Sequence, residues 1–209
     1  MAETSCGDAM LSETIAFLVE IDRLKQVDRQ TKIVGERRRE NAAEHSWHLA
    51  MFALVLGTRF ARVDPSRVIA MLLIHDIVEI DAGDLPLHSR NVNLAAKQER
   101  EAAASQRIFG LLPPAEAGQL LCLWNEFEAG ETENARFARA LDRLQPLILN
   151  LQNGGGTWLE NDVTEDQVVE RYGSEIEPSS RELWQEVRGL VSRHFQQNSP
   201  NHRAQLKEA

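Results

Sequence analysis

The chain has 209 residues, and 23 Lys and Arg side chains against 32 Asp and Glu side chains give it a net charge of −9 at pH 7. A chain of this length can bury a core of its own, and its acidic balance argues against a nucleic-acid polymer or an anionic membrane as partner. Two cysteines cannot form a disulfide framework. The N-terminal segment lacks the pattern of a signal peptide, and no apolar stretch reaches the roughly 18 residues of a membrane helix. We therefore expect one soluble, cytoplasmic domain over residues 1–209.

One segment departs from the acidic average. Between Arg23 and Arg39 the chain carries seven basic residues and only two acidic ones. A small basic segment in an acidic protein suits a small anionic ligand better than a polymer. We expect most of these side chains to lie on a solvated face of helix and loop.

Apolar residues recur three and four positions apart along almost the whole chain, which predicts an all-α fold of roughly seven or more helices. The first helix is predicted to begin near Ser12, where Ser and Thr offer capping oxygens, and to carry an apolar stripe from Ile15 to Leu24. Asp64 and Pro65 predict a capped helix start. Gly110 and Gly130 each predict a helix end. The later predicted helices cover residues 45–60, 65–80, 94–109, 114–129, 133–150, 164–172 and 178–197.

Polar side chains interrupt the third predicted helix where its pattern otherwise predicts burial. His75 and Asp76 follow an apolar run, and Glu79 lies four residues after His75. Residues four apart share a helix face, so these three side chains can converge on one cavity. A buried carboxylate needs a compensating cation or a network of donors.

His45 and Asp142 are two further polar residues that a surface position does not explain. His45 opens the second predicted helix, and the neighbours of Asp142 are apolar. Together with His75 and Asp76 they would form a site of two imidazoles and two carboxylates, which leaves two positions of an octahedron open. An open site of this kind is typical of catalysis, whereas a structural zinc site is closed and usually richer in cysteine.

This pattern of His, then His-Asp, then a distant Asp resembles the HD-domain metal-dependent phosphohydrolases. The closer resemblance is to the branch of bacterial and eukaryotic HD proteins that includes the 5′-deoxynucleotidases, and it covers roughly residues 17–150. The matching runs are Arg23-Leu24-Lys25 with Arg29, Arg39-Glu40-Asn41, Glu44-His45-Ser46, His75-Asp76 with Glu79, and Gly83-Asp84-Leu85-Pro86.

The resemblance implies an HD-domain helical bundle in which His45, His75, Asp76 and Asp142 bind one divalent metal ion. It places the core that carries the metal site at about residues 15–152, with C-terminal helices at about 160–197 and a polar tail at 198–209. Relatives often form homodimers, and apolar surface on the later helices is a candidate interface here.

The resemblance also implies roles in substrate handling. Glu79 would transfer the proton, Arg29 would contact the phosphate, and Asp84 would lie near the sugar. An aromatic residue that helps to sense the missing 2′ hydroxyl commonly follows the arginine in the deoxynucleotidases, whereas this chain has Gln30. The choice between ribose and deoxyribose therefore stays open.

The chemistry of a phosphate monoester fits this set of residues. Its negative oxygens repel a nucleophile, so hydrolysis needs charge neutralisation and an activated water, and a divalent ion supplies both. We therefore predict a metal-dependent phosphohydrolase that acts on nucleoside or deoxynucleoside 5′-monophosphates. Manganese, cobalt, nickel, iron, zinc or magnesium would suit the ligands, and Glu79 could serve as base or as acid.

Other functions remain open at the level of sequence. A phosphodiesterase or pyrophosphohydrolase acting on another nucleotide would use the same metal site but hydrolyse a different phosphate bond. A non-catalytic nucleotide-sensing protein would bind the nucleotide without hydrolysing it. A di-iron oxygenase would need more histidine ligands, for which His48 is a candidate, although a packing or supporting role for His48 is the simpler interpretation. His88, Arg90 and Lys97 are candidates for the substrate entrance.

Overall fold

The computed structural model describes residues 2–59, 62–85 and 93–198, with the backbone alone for residues 2–8. The predicted end of the second helix at Phe60, the entrance residues His88 and Arg90, and residues 199–209 of the predicted tail lie outside this range. None of the described helices is both long enough and apolar enough to span a membrane. The helices are α1 (Ala2–Glu20), α2 (Ala42–Leu56), α3 (Pro65–Ile74), α4 (Glu79–Ala82), α5 (Leu94–Phe109), α6 (Pro114–Ala129), α7 (Glu133–Gln152), α8 (Gly156–Glu160), α9 (Glu165–Ser179) and α10 (Arg181–Gln197).

The all-α prediction is confirmed, with one addition that the sequence pattern missed. Strands β1 (Asp28–Lys32) and β2 (Arg39–Asn41) form an antiparallel hairpin in the basic segment that was expected to be helix and loop. Its turn contains Gly35 at φ 77°, which a residue without a Cβ adopts at little cost. Strands this short and polar carry no alternation of apolar residues, so the usual sequence signal for a strand is absent.

The first helix differs from its prediction in both its start and its buried face. It begins at Ala2 instead of near Ser12, and Ile15, Leu18 and Val19 are exposed. Phe17 is buried instead, with its ring centroid 6.4 Å from that of Phe109 on α5. The apolar spacing identified a helix correctly but assigned these three exposed residues to the core, whereas Leu24, the last residue of the predicted stripe, is buried in the 3₁₀ helix Ile21–Gln26 that follows α1.

Capping chemistry sets several boundaries. The Asp64 side chain accepts hydrogen bonds from the backbone N–H groups of Ser66 and Arg67, as predicted for the start of α3. Asn41 and Glu44 form a capping box that starts α2 at Ala42, three residues before the predicted start. Helices α5 and α6 have the predicted bounds.

The third predicted helix is in fact three consecutive pieces. Helix α3 ends at Ile74, the tighter 3₁₀ turn His75–Val78 follows, and α4 begins at Glu79. The single continuous helix predicted to Ile80 is therefore wrong. The tighter winding advances each residue by a larger angle than an α-helix does, so the directions of the polar side chains are set by this turn.

The C-terminal third contains one helix that was not predicted, α8, which begins at the third of three consecutive glycines at positive φ. Helix α9 extends through Pro178 to Ser179, and Ser180 caps α10, whose predicted start at Pro178 is wrong. The ring of proline fixes φ near −65°, which is a helical value. Pro178 is therefore compatible with the last turn of α9.

Helix α7 is the central element of the larger apolar core. Its residues Leu141, Leu144 and Leu147 are fully buried and belong to a cluster with side chains of α2, α3, α9 and α10. A second cluster joins α1, α5 and α6 to the 3₁₀ turn through residues such as Phe17, Ile77 and Phe109. Asp142 and Gln145 of the same helix lie against His45 of α2, which positions the candidate site. The assignment of residues 1–209 to one domain stays a prediction.

Candidate metal centre

Three separate elements bring the four predicted ligands together. His45 lies on α2, His75 and Asp76 on the 3₁₀ turn, and Asp142 on α7. Oδ1 of Asp142 lies 3.0 Å from Nε2 of His45 and 3.7 Å from Nε2 of His75. Oδ1 of Asp76 lies 3.0 Å from Nε2 of His75, and its Oδ2 lies 3.9 Å from Nε2 of His45. All four side chains are almost completely enclosed.

These distances leave room for one ion. One ligand atom each from His45, His75 and Asp142 lies within 4.8 Å of the other two, and Asp76 adjoins both imidazoles. The donor set of two nitrogens and two carboxylates is one that divalent transition metals accept. The assignment of the four residues as ligands stays a prediction that this geometry favours.

The hydrogen bonds of the two imidazoles point their lone pairs into the cluster. Nδ1 of His75 donates to the carbonyl oxygen of Leu72 at 2.9 Å, and Nδ1 of His45 donates to Oε1 of Gln145 at 3.0 Å. Each neutral ring then has its lone pair on Nε2, and Nε2 of His75 has no hydrogen-bond partner among the described residues. Lone pairs facing carboxylates require a cation between them.

The pKa values of the cluster follow from the balance between burial and the charges of its neighbours. Burial disfavours the charged form of His75, but the carboxylates of Asp76 and Asp142 outweigh burial and raise the pKa of His75 well above its ordinary value. Burial likewise opposes ionisation of Asp76, yet His75 and Arg29 lower its pKa to about 2. The carboxylates of this cluster therefore favour a positive charge beside the imidazoles, which a divalent ion would also supply.

Two arginines hold the outer oxygens of the aspartates. Nη1 of Arg29 donates to Oδ2 of Asp76 at 2.9 Å, and Nη1 of Arg143 donates to Oδ2 of Asp142 at 2.8 Å. Arg29 extends from strand β1, and its side chain is only 12% exposed, so it is not among the basic residues expected on a solvated face of helix and loop. Each aspartate thus has one oxygen toward the imidazoles and one toward a guanidinium group.

Gln145 and Glu40 are supporting residues to which the sequence analysis gave no role. Gln145 lies fully buried on α7, and its Nε2 donates to Oε2 of Glu40 at 2.8 Å, which turns its Oε1 toward His45. Oε1 of Glu40 lies 3.5 Å from Nε of Arg29. A glutamine within the apolar stripe of a helix, one turn after Asp142, was the signal that could have identified it.

Glu79 lies at the start of α4 beside this cluster. Burial and the nearby carboxylates of Asp76 and Asp84 raise the pKa of Glu79 well above its ordinary value. Its Oε2 is buried without a hydrogen-bond partner among the described residues. A carboxyl group with a raised pKa and an unpaired oxygen is suited to acid–base exchange with a ligand.

The structure places the remaining described candidates either in the lining of the cavity or beside Gln145. Asp84 follows Gly83 and lines the cavity, where burial raises its pKa although Arg29 partly offsets that effect. Nδ1 of His48 lies 3.2 Å from Nε2 of Gln145, so His48 supports the glutamine and lies outside the three-residue metal group found in the described part of the chain. Lys97 lines the cavity as expected.

The predicted metal centre opens into a cavity of about 600 Å³, a volume within the range of small-molecule sites. Charged side chains of both signs line it, among them Arg29, Glu79, Asp84 and Arg143. A polar ligand of the size of a nucleotide fits a cavity of this volume and lining.

Comparison with known proteins agrees with this geometry. The chain is 30% identical to 5′-deoxynucleotidase HDDC2 of Mus musculus over 149 residues, which cover 71% of this chain and 72% of the mouse protein. It is 31% identical to a 5′-deoxynucleotidase of Erwinia tasmaniensis over 57% of this chain and 64% of that protein.

A solved structure from Magnetospirillum magnetotacticum MS-1, described as a predicted metal-dependent phosphohydrolase, is 47% identical, with a TM-score of 0.85 over 91% of this chain and 95% of that one. The profile of the HD domain matches residues 21–184. The resemblance drawn from the sequence is confirmed, and the chain belongs to the HD domain family.

Proposed function

We propose that this protein is a metal-dependent phosphohydrolase that releases phosphate from nucleoside or deoxynucleoside 5′-monophosphates. The observation that carries the proposal is the convergence of two imidazoles and two carboxylates beside the carboxyl group of Glu79, whose Oε2 has no hydrogen-bond partner among the described residues. The names of the mouse and Erwinia relatives support the substrate class.

His45, His75, Asp76 and Asp142 would hold one divalent ion. When bound, such an ion neutralises phosphate charge and lowers the pKa of a water molecule. Manganese, cobalt, nickel, iron, zinc and magnesium are all compatible with nitrogen and carboxylate ligands, and availability in the cell contributes to the choice.

The residues of the chain supply the other requirements of hydrolysis. Arg29 is positioned by Asp76 through Nη1, and its remaining donors would contact a phosphate oxygen. Glu79 would hold the proton that moves between the attacking water and the leaving 5′ oxygen. The enclosed site weakens competition from bulk water and strengthens each charged contact.

Asp84 and Gln30 both line the cavity and are proposed to face the sugar. Gln30 can donate and accept hydrogen bonds, so it does not exclude a 2′ hydroxyl as an apolar aromatic side chain would. Comparison of kcat/KM for paired ribonucleoside and deoxyribonucleoside monophosphates measures this discrimination.

A homodimer and a cytoplasmic location are also proposed. Large exposed apolar side chains in the described part of the chain are concentrated on α1 and α2, including Leu18, Val19, Leu54 and Val55, rather than on the later helices. Light scattering coupled to size-exclusion chromatography measures the oligomeric state directly.

The deciding experiment is a phosphate-release screen with several divalent metals. It compares nucleoside mono-, di- and triphosphates with cyclic nucleotides, and Asp76→Ala is the inactive control. Orthophosphate from 5′-monophosphates supports the proposal. Release of pyrophosphate or opening of a cyclic nucleotide would indicate the other hydrolase class, and binding without any product would indicate a sensing protein.

A further inference from the structure

The cationic side chains that line the cavity differ in how many of their donors are already engaged. Nε and Nη2 of Arg139 donate to the carboxylate of Glu175, and its Nη1 donates to the carbonyl oxygen of Glu128. Lys97 pairs with Glu101 at 3.1 Å. These two cations are committed to protein partners, so they are poor candidates for a ligand's negative charge.

Arg29 and Arg143 each make one hydrogen bond among the described residues. Nη1 of Arg29 donates to Asp76, and its Nε lies 3.5 Å from Oε1 of Glu40 without a hydrogen bond, in a side chain that is only 12% exposed. Arg143 donates to Asp142 through Nη1 alone and is less enclosed. Its side chain is 29% exposed and lines the cavity. Arg143 therefore combines uncommitted donors with the greater exposure to the cavity.

The position of Arg143 mirrors that of Arg29 across the predicted metal centre. One carboxylate separates Arg143 from the imidazoles, since Oδ2 of Asp142 lies 2.8 Å from Nη1 of Arg143 and Oδ1 lies 3.0 Å from Nε2 of His45. Asp76 separates Arg29 from His75 in the same way. A phosphate held at the centre would lie between the two guanidinium groups.

We propose that Arg143 is a second phosphate-binding residue, which contacts the substrate's phosphate from the side of Asp142, in addition to Arg29 on the side of Asp76. The proposal rests on the proposed function, because it assumes a phosphate monoester at the centre. A guanidinium group presents paired donors that match two phosphate oxygens. Two flanking cations would neutralise the phosphate dianion better than one partly committed arginine.

The test measures binding of inorganic phosphate to the Co²⁺-loaded protein by isothermal titration calorimetry, together with the cobalt content of each variant. Arg143→Gln is expected to weaken phosphate binding roughly tenfold or more, the usual effect of losing a charge-assisted contact, and to keep its cobalt. In the phosphate-release assay its KM is expected to rise more than its kcat falls. Arg143→Lys keeps the positive charge but lacks the paired N–H donors of a guanidinium group, and it is expected to bind phosphate with intermediate affinity.

Arg136→Gln is the matched control, because Arg136 lies on the same helix, is exposed and pairs with Glu133. It makes the same change in charge and is expected to leave phosphate affinity unchanged. Unchanged phosphate affinity in Arg143→Gln, an equal loss in Arg136→Gln, or loss of cobalt from Arg143→Gln would each overturn the proposal, the last by showing that Arg143 only positions Asp142.

The outcome for the substrate class is separate. A wild-type protein that releases no phosphate from monophosphates, yet binds inorganic phosphate through Arg143, would refute the proposed function and leave the Arg143 contact standing.

Discussion

His45 can direct a lone pair from Nε2 into the cavity only while its Nδ1 keeps a proton. Gln145 secures that state because its carbonyl oxygen accepts from Nδ1, and Glu40 in turn fixes the orientation of the glutamine amide by accepting from Nε2. The amide cannot rotate without placing its carbonyl oxygen against the Glu40 carboxylate. The tautomer of His45, a predicted metal ligand, is thus set by Gln145 and Glu40, which lie outside the predicted ligand set.

Gln145→Leu is expected to weaken metal binding about 10- to 100-fold, the usual effect of losing a residue that orients a ligand. Competition with a chromophoric chelator measures the metal dissociation constant. Gln152→Leu, on the exposed face of the same helix, is the control and is expected to bind metal normally. Equal metal affinity in wild type and Gln145→Leu would remove the orienting role.

Glu79→Gln keeps the size of the side chain but cannot exchange a proton. We expect kcat to fall about 10²- to 10⁴-fold with metal content unchanged, because Glu79 lies outside the ligand set. Steady-state kinetics and elemental analysis measure the two quantities. Glu99→Gln, an exposed change on α5, is the control, and full activity in Glu79→Gln would show that another group transfers the proton.

At the scale of elements, the packing of α9 on α10 depends on a missing side chain. A Cβ added to Gly173 would lie 2.6 Å from Cζ2 of Trp184, and both residues are buried. The two helices approach closely at this point, and they cover the side of α7 that carries its buried leucines. Gly173 therefore stabilises the fold although glycine is a poor helix former.

Gly173→Ala is expected to destabilise the protein by about 1–3 kcal/mol, because the overpacking cost exceeds the gain of helix propensity. Gly118 is the matched control, since it lies within α6 and a Cβ there meets nothing within 4 Å. Gly118→Ala is expected to stabilise by up to about 1 kcal/mol. Urea denaturation measures both free energies of unfolding. If the two variants change the free energy of unfolding in the same direction, the close approach at Gly173 would not control the packing of α9 on α10.

At the scale of the whole molecule, the predicted centre joins α2, the 3₁₀ turn and α7, which are distant in sequence. A ligand that binds only the folded state stabilises it by mass action. The ion would therefore contribute to the stability of the assembled helices as well as to chemistry.

Metal loading at about 100 times the dissociation constant is expected to stabilise the protein by about 2.7 kcal/mol, which corresponds to roughly 5–10 °C in Tm for a chain of this size. Calorimetry with and without a chelator measures the shift. Asp142→Ala is expected to lose both the ion and the shift. If added metal does not change the Tm of the wild type, that result would argue against a metal centre shared by α2, the 3₁₀ turn and α7.

The sequence determined the helical class, several helix boundaries and the identity of the four residues that converge, because periodicity, capping and an ordered motif are properties of local sequence. His45, His75, Asp76 and Asp142 could be named since polar residues on apolar stripes are conspicuous. The hairpin β1–β2, by contrast, has strands too short and too polar for any periodic signal.

The tertiary structure alone decided which side chains support that centre. Arg29 lies 47 residues from Asp76, and Gln145 lies 100 residues from His45 and 105 from Glu40. Such pairings follow from how helices and hairpin pack against one another, and no local pattern encodes the direction in which a buried amide or guanidinium group finally points. For that reason the predicted ligands could be identified along the chain, whereas the contacts that orient them, and the uncommitted donors of Arg143, required the folded molecule.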